Sequence, residues 1–278
     1  TDSSYRDYRP SVQLSSYLFN NVRAYSDWGL WDCHLSWLGL KNNSSKSEQY
    51  INCNFDCGGY KIIRSGKFKL VFRFPKFRYR PSQADAFHID FWLDGNNLFN
   101  DAGSYSYSEA NDILDYFNGT VSHNTIQFDE RDQMPRISRF LFGNWTKVRK
   151  VSSIQRIDSY LKCSASYTDY KGCTHQRSIS LKDDSFNVED KVTGFKEKAV
   201  LRWRLAGKNW VLGKKEKNRV ELTNEQSRLI IYSNQDFSEI NLVKGWSSSF
   251  YMKKETISIV EVAISESGTI FTNFNLEK

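Results

Sequence analysis

The sequence predicts an all-β fold, a large antiparallel β-sandwich preceded by a short helical N-terminal arm. Turn signals recur about every eight to twelve residues from residue 50 onward, a spacing typical of antiparallel sandwiches. Aromatic residues make up 15% of the chain, with 19 Phe, 15 Tyr and 8 Trp, and such residues favour strands. At 278 residues, the chain is long enough for one large sandwich with a substantial core.

The arm is expected to occupy residues 1–46. Apolar residues recur near helical spacing from Val12 to Tyr25, and a second apolar stretch runs from Trp28 to Leu38. A polar loop at 42–47 follows the arm, and residues 47–278 are predicted to form the sandwich domain.

Within the sandwich, apolar and polar residues alternate in short runs between turns. Ser65-Gly66 and Asp94-Gly95 are sequences that favour hairpin turns. The segment 104–119 is rich in Ser, Tyr and Asp and is predicted to be a long surface loop. Strands are predicted at 60–64, 68–74, 87–93, 98–101, 124–128, 137–142, 145–151, 159–168, 174–181, 186–192, 198–206, 219–222, 228–233, 239–243, 256–264 and 269–273.

The net charge of +7 predicts attraction to polyanions. No motif of a nucleic-acid-binding fold is present, so nucleic acid is not expected as a partner. No run of eighteen apolar residues is present, so no membrane span is expected. The five cysteines are odd in number and irregularly spaced, which excludes a complete disulfide framework and favours free thiols.

The segment 81–130 contains no Lys or Arg but nine acidic residues and two of the four histidines. His88 and Asp90 lie two apart on a predicted strand and so share a face, and a hairpin partner can bring Asp101 close to them. Zn²⁺ accepts His nitrogen and Asp oxygen, which makes a metal site one interpretation of these residues. The alternative is that the histidines are structural and satisfied by hydrogen bonds to neighbouring acids.

The segment 61–80 has the opposite charge, with eight Lys or Arg and no acid, interleaved with aromatic residues. Aromatic rings can stack on the sugar rings of an acidic glycan, and cations beside them can bind its anionic groups. The candidates for glycan binding are Lys69, Arg73, Arg78 and Arg80. The alternative is a strand pair with a core aromatic face and a solvated basic face.

Several short motifs, in order and approximate spacing over about residues 50–274, resemble the C-terminal domain of the heparinase II/III-like polysaccharide lyases. They include Gly58-Gly59-Tyr60, His88-Ile89-Asp90, Asn100-Asp101-Ala102-Gly103, Gly119-Thr120-Val121-Ser122-His123-Asn124-Thr125, His175-Gln176-Arg177 and Gly245-Trp246. The resemblance implies a supersandwich-like β-sandwich that follows an α/α toroid domain in a bacterial protein. Residues 1–46 would then be a remnant of that toroid, and the location remains open between periplasm and cytoplasm.

The resemblance also implies a structural zinc with His88, Asp101 and His123 as ligands, and Asp90 as a possible supporting partner of a ligand histidine. Lyase chemistry removes a proton from the carbon beside a uronate carboxylate while the developing charge is stabilised. His123, Tyr105 and Tyr107 are the local candidates for a catalytic contribution, but His123 cannot be both a zinc ligand and a free base, and the metal role is favoured for it. Most of the catalytic cleft is expected in the preceding toroid, so whether this chain alone is an enzyme stays open.

Two functions are therefore predicted. The first is the sandwich domain of a lyase that cleaves acidic, uronate-containing polysaccharides such as glycosaminoglycans by β-elimination, contributing a structural metal site and one side of the cleft. The alternative is a non-catalytic binding module for anionic glycans.

Overall fold

The computed structural model describes residues 7–40, 52–207 and 209–277. The chain divides into two compact units, Thr1–Ile51 and Asn52–Lys278. The predicted polar loop at 42–47 lies outside the described residues. None of the described helices is long and apolar enough to cross a membrane.

The first unit contains helix α1 (Arg9–Asn20), a 3₁₀ turn (Leu30–Asp32) and helix α2 (Cys33–Trp37), which confirms the helical arm. A buried carboxylate, Asp32, connects these pieces. It accepts hydrogen bonds from Gln13 of α1 (2.7 Å) and from Arg23 (2.8 Å). Buried charges of this kind are retained when they are paired and hydrogen-bonded.

The second unit is predominantly β, and its described residues also include helix α3 (Asn111–Asn118) and a 3₁₀ turn (Thr120–Ser122). Its strands in chain order are β1 (Cys53–Phe55), β2 (Tyr60–Ser65), β3 (Phe68–Arg73), β4 (Ile89–Leu93), β5 (Asn96–Phe99), β6 (Ile126–Phe128), β7 (Arg136–Ser138), β8 (Leu141–Phe142), β9 (Lys147–Val151), β10 (Gln155–Ile157), β11 (Tyr160–Thr168), β12 (Thr174–Lys182), β13 (Ser185–Thr193), β14 (Ala199–Leu205), β15 (Val211–Glu216), β16 (Arg219–Thr223), β17 (Ser227–Ser233), β18 (Glu239–Phe250), β19 (Lys253–Ile264) and β20 (Gly268–Leu276).

In the described part of the chain, these strands form two nine-stranded sheets and the small β7–β8 hairpin, and the pairings are antiparallel. The first sheet has the order β1-β2-β3-β4-β5-β14-β19-β18, with β6 also paired to β14. The second has the order β10-β11-β12-β13-β20-β17-β16-β15, with β9 also paired to β11. The predicted antiparallel sandwich is confirmed.

Aromatic residues fill the core between the two sheets. Phe91 of the first sheet stacks on Phe186 of the second, with ring centroids 4.6 Å apart, and Trp203 donates its indole N–H to Thr272 across the core (3.0 Å). Rings that bury this much apolar surface contribute most of the stabilisation of such a core. The high aromatic content of the sequence is thus explained by the fold.

Strand β14 differs from the other long strands because all seven of its residues are buried. Most other strands alternate between buried and partly exposed residues, as expected when one face meets the core and the other meets solvent. A strand buried on both faces needs a cover on the outside of its sheet. Segments between β5 and β6 supply part of it: Tyr116 of α3 and Asn124 both hydrogen-bond to Arg204 of β14.

The structure differs from the sequence predictions in several details, including the strands β1, β10 and β15, which were not predicted. The predicted loop 104–119 contains α3, whose apolar residues Leu114 and Phe117 lie one turn apart and are both buried. The strands predicted at 239–243 and 256–264 are longer, since they form the extended hairpin β18–β19. The predicted strand 137–142 is a hairpin, β7–β8, instead of one strand.

Candidate metal centre

The backbone turns sharply at Phe87, immediately before the first candidate ligand. Phe87 has a φ of +64°, a conformation that is costly for a residue with a side chain. Its N–H donates to the carbonyl of Arg73 (2.9 Å), and its ring is fully buried in the core. Ile89 is also buried in the core, so His88 and Asp90 lie together on the opposite face of the strand.

Three of the predicted residues meet on this face. Nδ1 of His123 lies 2.8 Å from Oδ2 of Asp101, and Nε2 of His88 lies 3.6 Å from the same oxygen. One potential ligand atom from each of the three lies within 4.8 Å of the others. The sequence separates these residues by up to 35 positions, and the fold brings them together as predicted.

The donor atoms of this group are consistent with a bound cation. The Nε2 atoms of His88 and His123 are buried and have no hydrogen-bond partner among the described residues, which is unusual for buried polar atoms. Nδ1 of His88 accepts the N–H of Asn124 (3.0 Å). Two imidazoles and a carboxylate are ligands that zinc and several other divalent metals accept, so the group could hold a metal ion. These ligands alone do not determine which metal it is.

The electrostatics of the group favour positive charge at its centre. Burial alone would raise the pKa of Asp101, but the charge and hydrogen bond of His123, with further help from His88 and the N–H of Gly103, hold it well below its usual range. Burial opposes protonation of His88, yet the nearby carboxylates of Asp90 and Asp101 raise its pKa. A cation bound here would meet an ionised carboxylate.

Asp90 lies beside the His88, Asp101 and His123 group. Its Oδ2 is 3.6 Å from Nε2 of His88, and its Oδ1 accepts hydrogen bonds from Asn97 (3.1 Å) and from the N–H of Asp101 (3.3 Å). Asp90 thereby contacts one candidate ligand and the backbone of another. This position agrees with the supporting role expected for it, which remains a prediction.

Sequence reasoning did not single out Asn124, although it directly follows His123. The side chain is fully buried; its amide donates to the carbonyls of Ile89 (2.9 Å) and Asn100 (3.2 Å), and its oxygen accepts the N–H of Arg204 (2.6 Å). Asn124 therefore joins the three segments that carry the site. Its place beside His123 in the Gly119–Thr125 motif was the available signal.

The second sheet also reaches this site through Arg177, which the sequence identified only as part of the His175-Gln176-Arg177 motif. Arg177 is fully buried and forms two hydrogen bonds with Asp190, which also contacts His175 (2.7 Å). Its remaining nitrogen donates to the carbonyls of Phe87 and Asn124 (2.7 Å to the latter). These carbonyls belong to the residues adjacent to His88 and His123, so Arg177 fixes the backbone behind both candidate ligands.

The two candidate tyrosines follow Asp101 in the chain. Tyr105 has a φ of +53° and stacks on Phe117 of α3, with ring centroids 5.4 Å apart. Tyr107 is 58% exposed and lies against Tyr251. No contact of either tyrosine with the His88, Asp101 and His123 group is seen in the described residues, so a catalytic contribution by them remains a prediction.

The four predicted glycan-binding cations have different surroundings. Lys69 lies over the ring of Trp92 (4.1 Å), and Arg73 is held by Asp85 (3.2 Å) and by the carbonyl of Gly58. Arg78 and Arg80 are exposed just beyond β3. The exposed pair is better placed to meet a large anion than the two cations engaged within the sheet.

Comparison with known proteins places this architecture in a family. The family model "Heparinase II/III-like, C-terminal" matches residues 53–273. A heparin-sulfate lyase from Bacteroides stercoris is 21% identical over 187 residues, which cover 64% of this chain and 26% of that protein. The chain therefore spans about a quarter of that relative.

Solved structures share the fold. A heparinase III structure superposes with a TM-score of 0.75 at 17% identity, covering 99% of this chain and 42% of its own. The heparan sulfate lyase HepC from Pedobacter heparinus superposes with a TM-score of 0.71 at 20% identity, covering 98% of this chain and 42% of its own. At this identity the likeness establishes the fold, and the chain corresponds to less than half of each structure.

Proposed function

The chain belongs to the heparinase II/III-like C-terminal family, and from this premise we propose that it is the sandwich domain of a lyase that cleaves uronate-containing acidic polysaccharides by β-elimination. The observation that carries the proposal is the family match over residues 53–273, supported by the His88, Asp101 and His123 group, which could hold a metal ion. The names of the similar proteins, which are heparin and heparan sulfate lyases, favour a glycosaminoglycan as substrate.

We propose that the metal is zinc and that it is structural. His88, Asp101 and His123 would hold it, and they come from three separate segments: one before β4, one after β5 and one before β6. When bound, the ion supplies a positive charge that offsets the surrounding carboxylates and cross-links these segments. With three protein ligands engaged in this way, His123 is not available as a general base.

This domain would form one side of the substrate cleft, and a toroid domain of the natural protein would form the other. Elimination at a uronate needs a base for the proton on the carbon beside the carboxylate and a group that stabilises the resulting charge. In the described residues, the candidates for local participation are Tyr105 and Tyr107. The base and the group that neutralises the carboxylate are therefore proposed to lie mainly in the toroid.

The test is to measure formation of unsaturated uronate by absorbance with heparan sulfate, chondroitin sulfate and alginate. The chain alone should show very low activity, and the same chain joined to a family toroid domain should show much more. A rate from the chain alone comparable with that of a complete lyase would contradict this division of labour.

A second function, a non-catalytic module for anionic glycans, is favoured by the exposed cations Arg78 and Arg80. In that case, Lys69, Arg73, Arg78 and Arg80 carry the glycan and the histidine group is only a structural cross-link. Glycan binding would then weaken with added salt. It would remain unchanged in His123→Ala, and no fused toroid would confer lyase activity.

A further inference from the structure

An exposed aromatic cluster lies where the turn of the β18–β19 hairpin packs on the segment after Asp101. We define it as the aromatic–lysine cluster: Tyr105, Tyr107, Trp246, Tyr251 and Lys254. The N–H of Met252 donates to the carbonyl of Tyr105 (2.8 Å), and the hydroxyls of Ser106 and Tyr251 are 3.3 Å apart. The cluster is therefore held together by backbone and side-chain bonds between two elements.

Three rings of the cluster are exposed to solvent although they are grouped together. Tyr107 is 58% exposed, Trp246 41% and Tyr251 55%. Single exposed aromatic residues are ordinary, but grouped ones mark surfaces that bind something. Tyr and Trp also combine an apolar face with a polar edge, which suits a ligand that is partly apolar and partly hydroxylated.

The ammonium of Lys254 lies between two of these rings. Its Nζ is 4.9 Å from the centroid of Tyr105 and 4.7 Å from that of Trp246. No ion pair joins Lys254 to an acidic residue in the described part of the chain. An exposed cation–π contact contributes only about 0.5–1 kcal/mol, so the positive charge stays available to an anion.

The cluster is continuous with the candidate metal centre. The N–H of Gly103 donates to the carboxylate of Asp101 (2.6 Å), and the N–H of Ser248 donates to the carbonyl of Ala102 (2.7 Å). The segment that begins at Asp101, a candidate metal ligand, thus leads directly to Tyr105 and is hydrogen-bonded to β18. A metal ion that ordered this segment would therefore also order the aromatic–lysine cluster.

We propose that the aromatic–lysine cluster binds one uronate unit of the polysaccharide, a role that rests on the proposed function. The C–H face of the sugar ring packs on the exposed ring of Trp246, and Lys254, whose Nζ lies beside that ring, forms a charge-assisted hydrogen bond with the carboxylate. The role requires no proton transfer by Tyr105 or Tyr107.

Calorimetric titration of the chain with hexasaccharides of heparan sulfate, chondroitin sulfate and alginate tests this, with neutral cellohexaose for comparison. Trp246→Ala and Lys254→Met should each weaken binding of the preferred acidic hexasaccharide by about tenfold or more. Lys254→Met should also reduce the dependence of binding on salt. Cellohexaose should bind much more weakly than the acidic sugar.

Lys244→Met is the matched control, since Lys244 is an exposed lysine of the same hairpin, bonded to Ser258 (3.0 Å) and outside the cluster. It should leave binding nearly unchanged. Tyr251→Ala provides a second loss of ring surface, and the melting temperature of each variant shows that the fold is retained.

Two failures are distinguishable. If the chain binds none of the three acidic sugars, this inference fails, whereas the proposed function is decided separately by the lyase activity of the chain joined to a family toroid domain. If the chain binds one of them but Trp246→Ala and Lys254→Met bind it as well as the wild type does, the proposed function stands and this site is wrong. An equal loss in Lys244→Met would indicate general charge attraction and would also overturn the site.

Discussion

At the scale of single residues, Arg177 connects the candidate metal centre to the opposite sheet. We expect Arg177→Met to lower the free energy of unfolding by about 3–5 kcal/mol, because it leaves Asp190 buried without its partner. The double variant Arg177→Met, Asp190→Leu should recover much of that stability, since no charge remains unpaired. It should still bind zinc about 10–100-fold more weakly, because the carbonyls of Phe87 and Asn124 have lost their donor.

Zinc affinity measured by competition with a chromophoric chelator, together with urea denaturation, separates these effects. A double variant that binds zinc as tightly as the wild type would show that Arg177 serves stability alone.

His175 provides a prediction about pH at the same scale. Burial lowers its pKa, and this outweighs the opposing hydrogen bond and charge of Asp190. The unfolded chain therefore takes up a proton at His175 at a higher pH than the folded chain does. Stability should fall as pH drops below about 6.5, by at most about 1.4 kcal/mol per pH unit from this residue.

His175→Gln retains a donor for Asp190 but does not titrate. Urea denaturation at several values between pH 5 and 8, with chelator present, should show a shallower pH dependence in the variant. Identical slopes in both proteins would mean that His175 does not carry this effect.

At the scale of elements, the segment after Asp101 depends on a close backbone approach to β18. Gly103 has a φ of +78°, and a Cβ there would lie 2.0 Å from the carbonyl oxygen of Ser248. We expect Gly103→Ala to cost about 2–4 kcal/mol, from backbone conformation and overlap together, and to weaken zinc binding because its N–H orients Asp101.

Gly95→Ala is the matched control. Gly95 has a similar φ of +83°, but a Cβ there meets no atom within 4 Å. It should cost only the conformational part, about 1–2 kcal/mol, and leave zinc affinity unchanged. Equal effects of the two substitutions on stability and zinc affinity would contradict the role assigned to Gly103.

Local elements were the most predictable from sequence. The Ser65-Gly66 and Asp94-Gly95 turns form as their sequences predict, with positive φ at both glycines. Residues two apart, such as His88 and Asp90, share a face because side chains alternate between the two faces of a strand. Helix α3 was missed because only two buried residues, Leu114 and Phe117, mark it in a Ser- and Asp-rich stretch. His123 was assigned through the family motif, because the alternation of side chains around His88 and Asp90 gives no information about a residue outside that strand.

The contacts from the second sheet could not be predicted in this way. Arg177 is 53 positions from Asn124 along the chain, and its contact depends on which strand of one sheet lies behind which turn of the other. Local patterns do not encode that pairing, so a buried Arg on a predicted strand indicates only a polar contact of some kind.

At the scale of the whole molecule, the candidate metal centre joins three segments of the large unit, so zinc should stabilise the sandwich. At a free zinc concentration about 100 times Kd, binding to the folded state adds about 2.7 kcal/mol to the free energy of unfolding. For a domain of this size, that corresponds to a rise in Tm of about 5–10 °C. Calorimetric melts of the chelator-treated protein, before and after addition of zinc, measure the shift.

Asp101→Asn should abolish most of the shift, because the ionised carboxylate is lost at the centre of the group. Asp94→Asn is the control, since this carboxylate lies on an exposed hairpin turn and pairs with Lys67 at 3.5 Å. If melts with and without zinc coincide in the wild type, His88 and His123 are structural histidines held by neighbouring acids. If Asp94→Asn loses the shift as fully as Asp101→Asn does, zinc acts through general charge and not through the candidate metal centre.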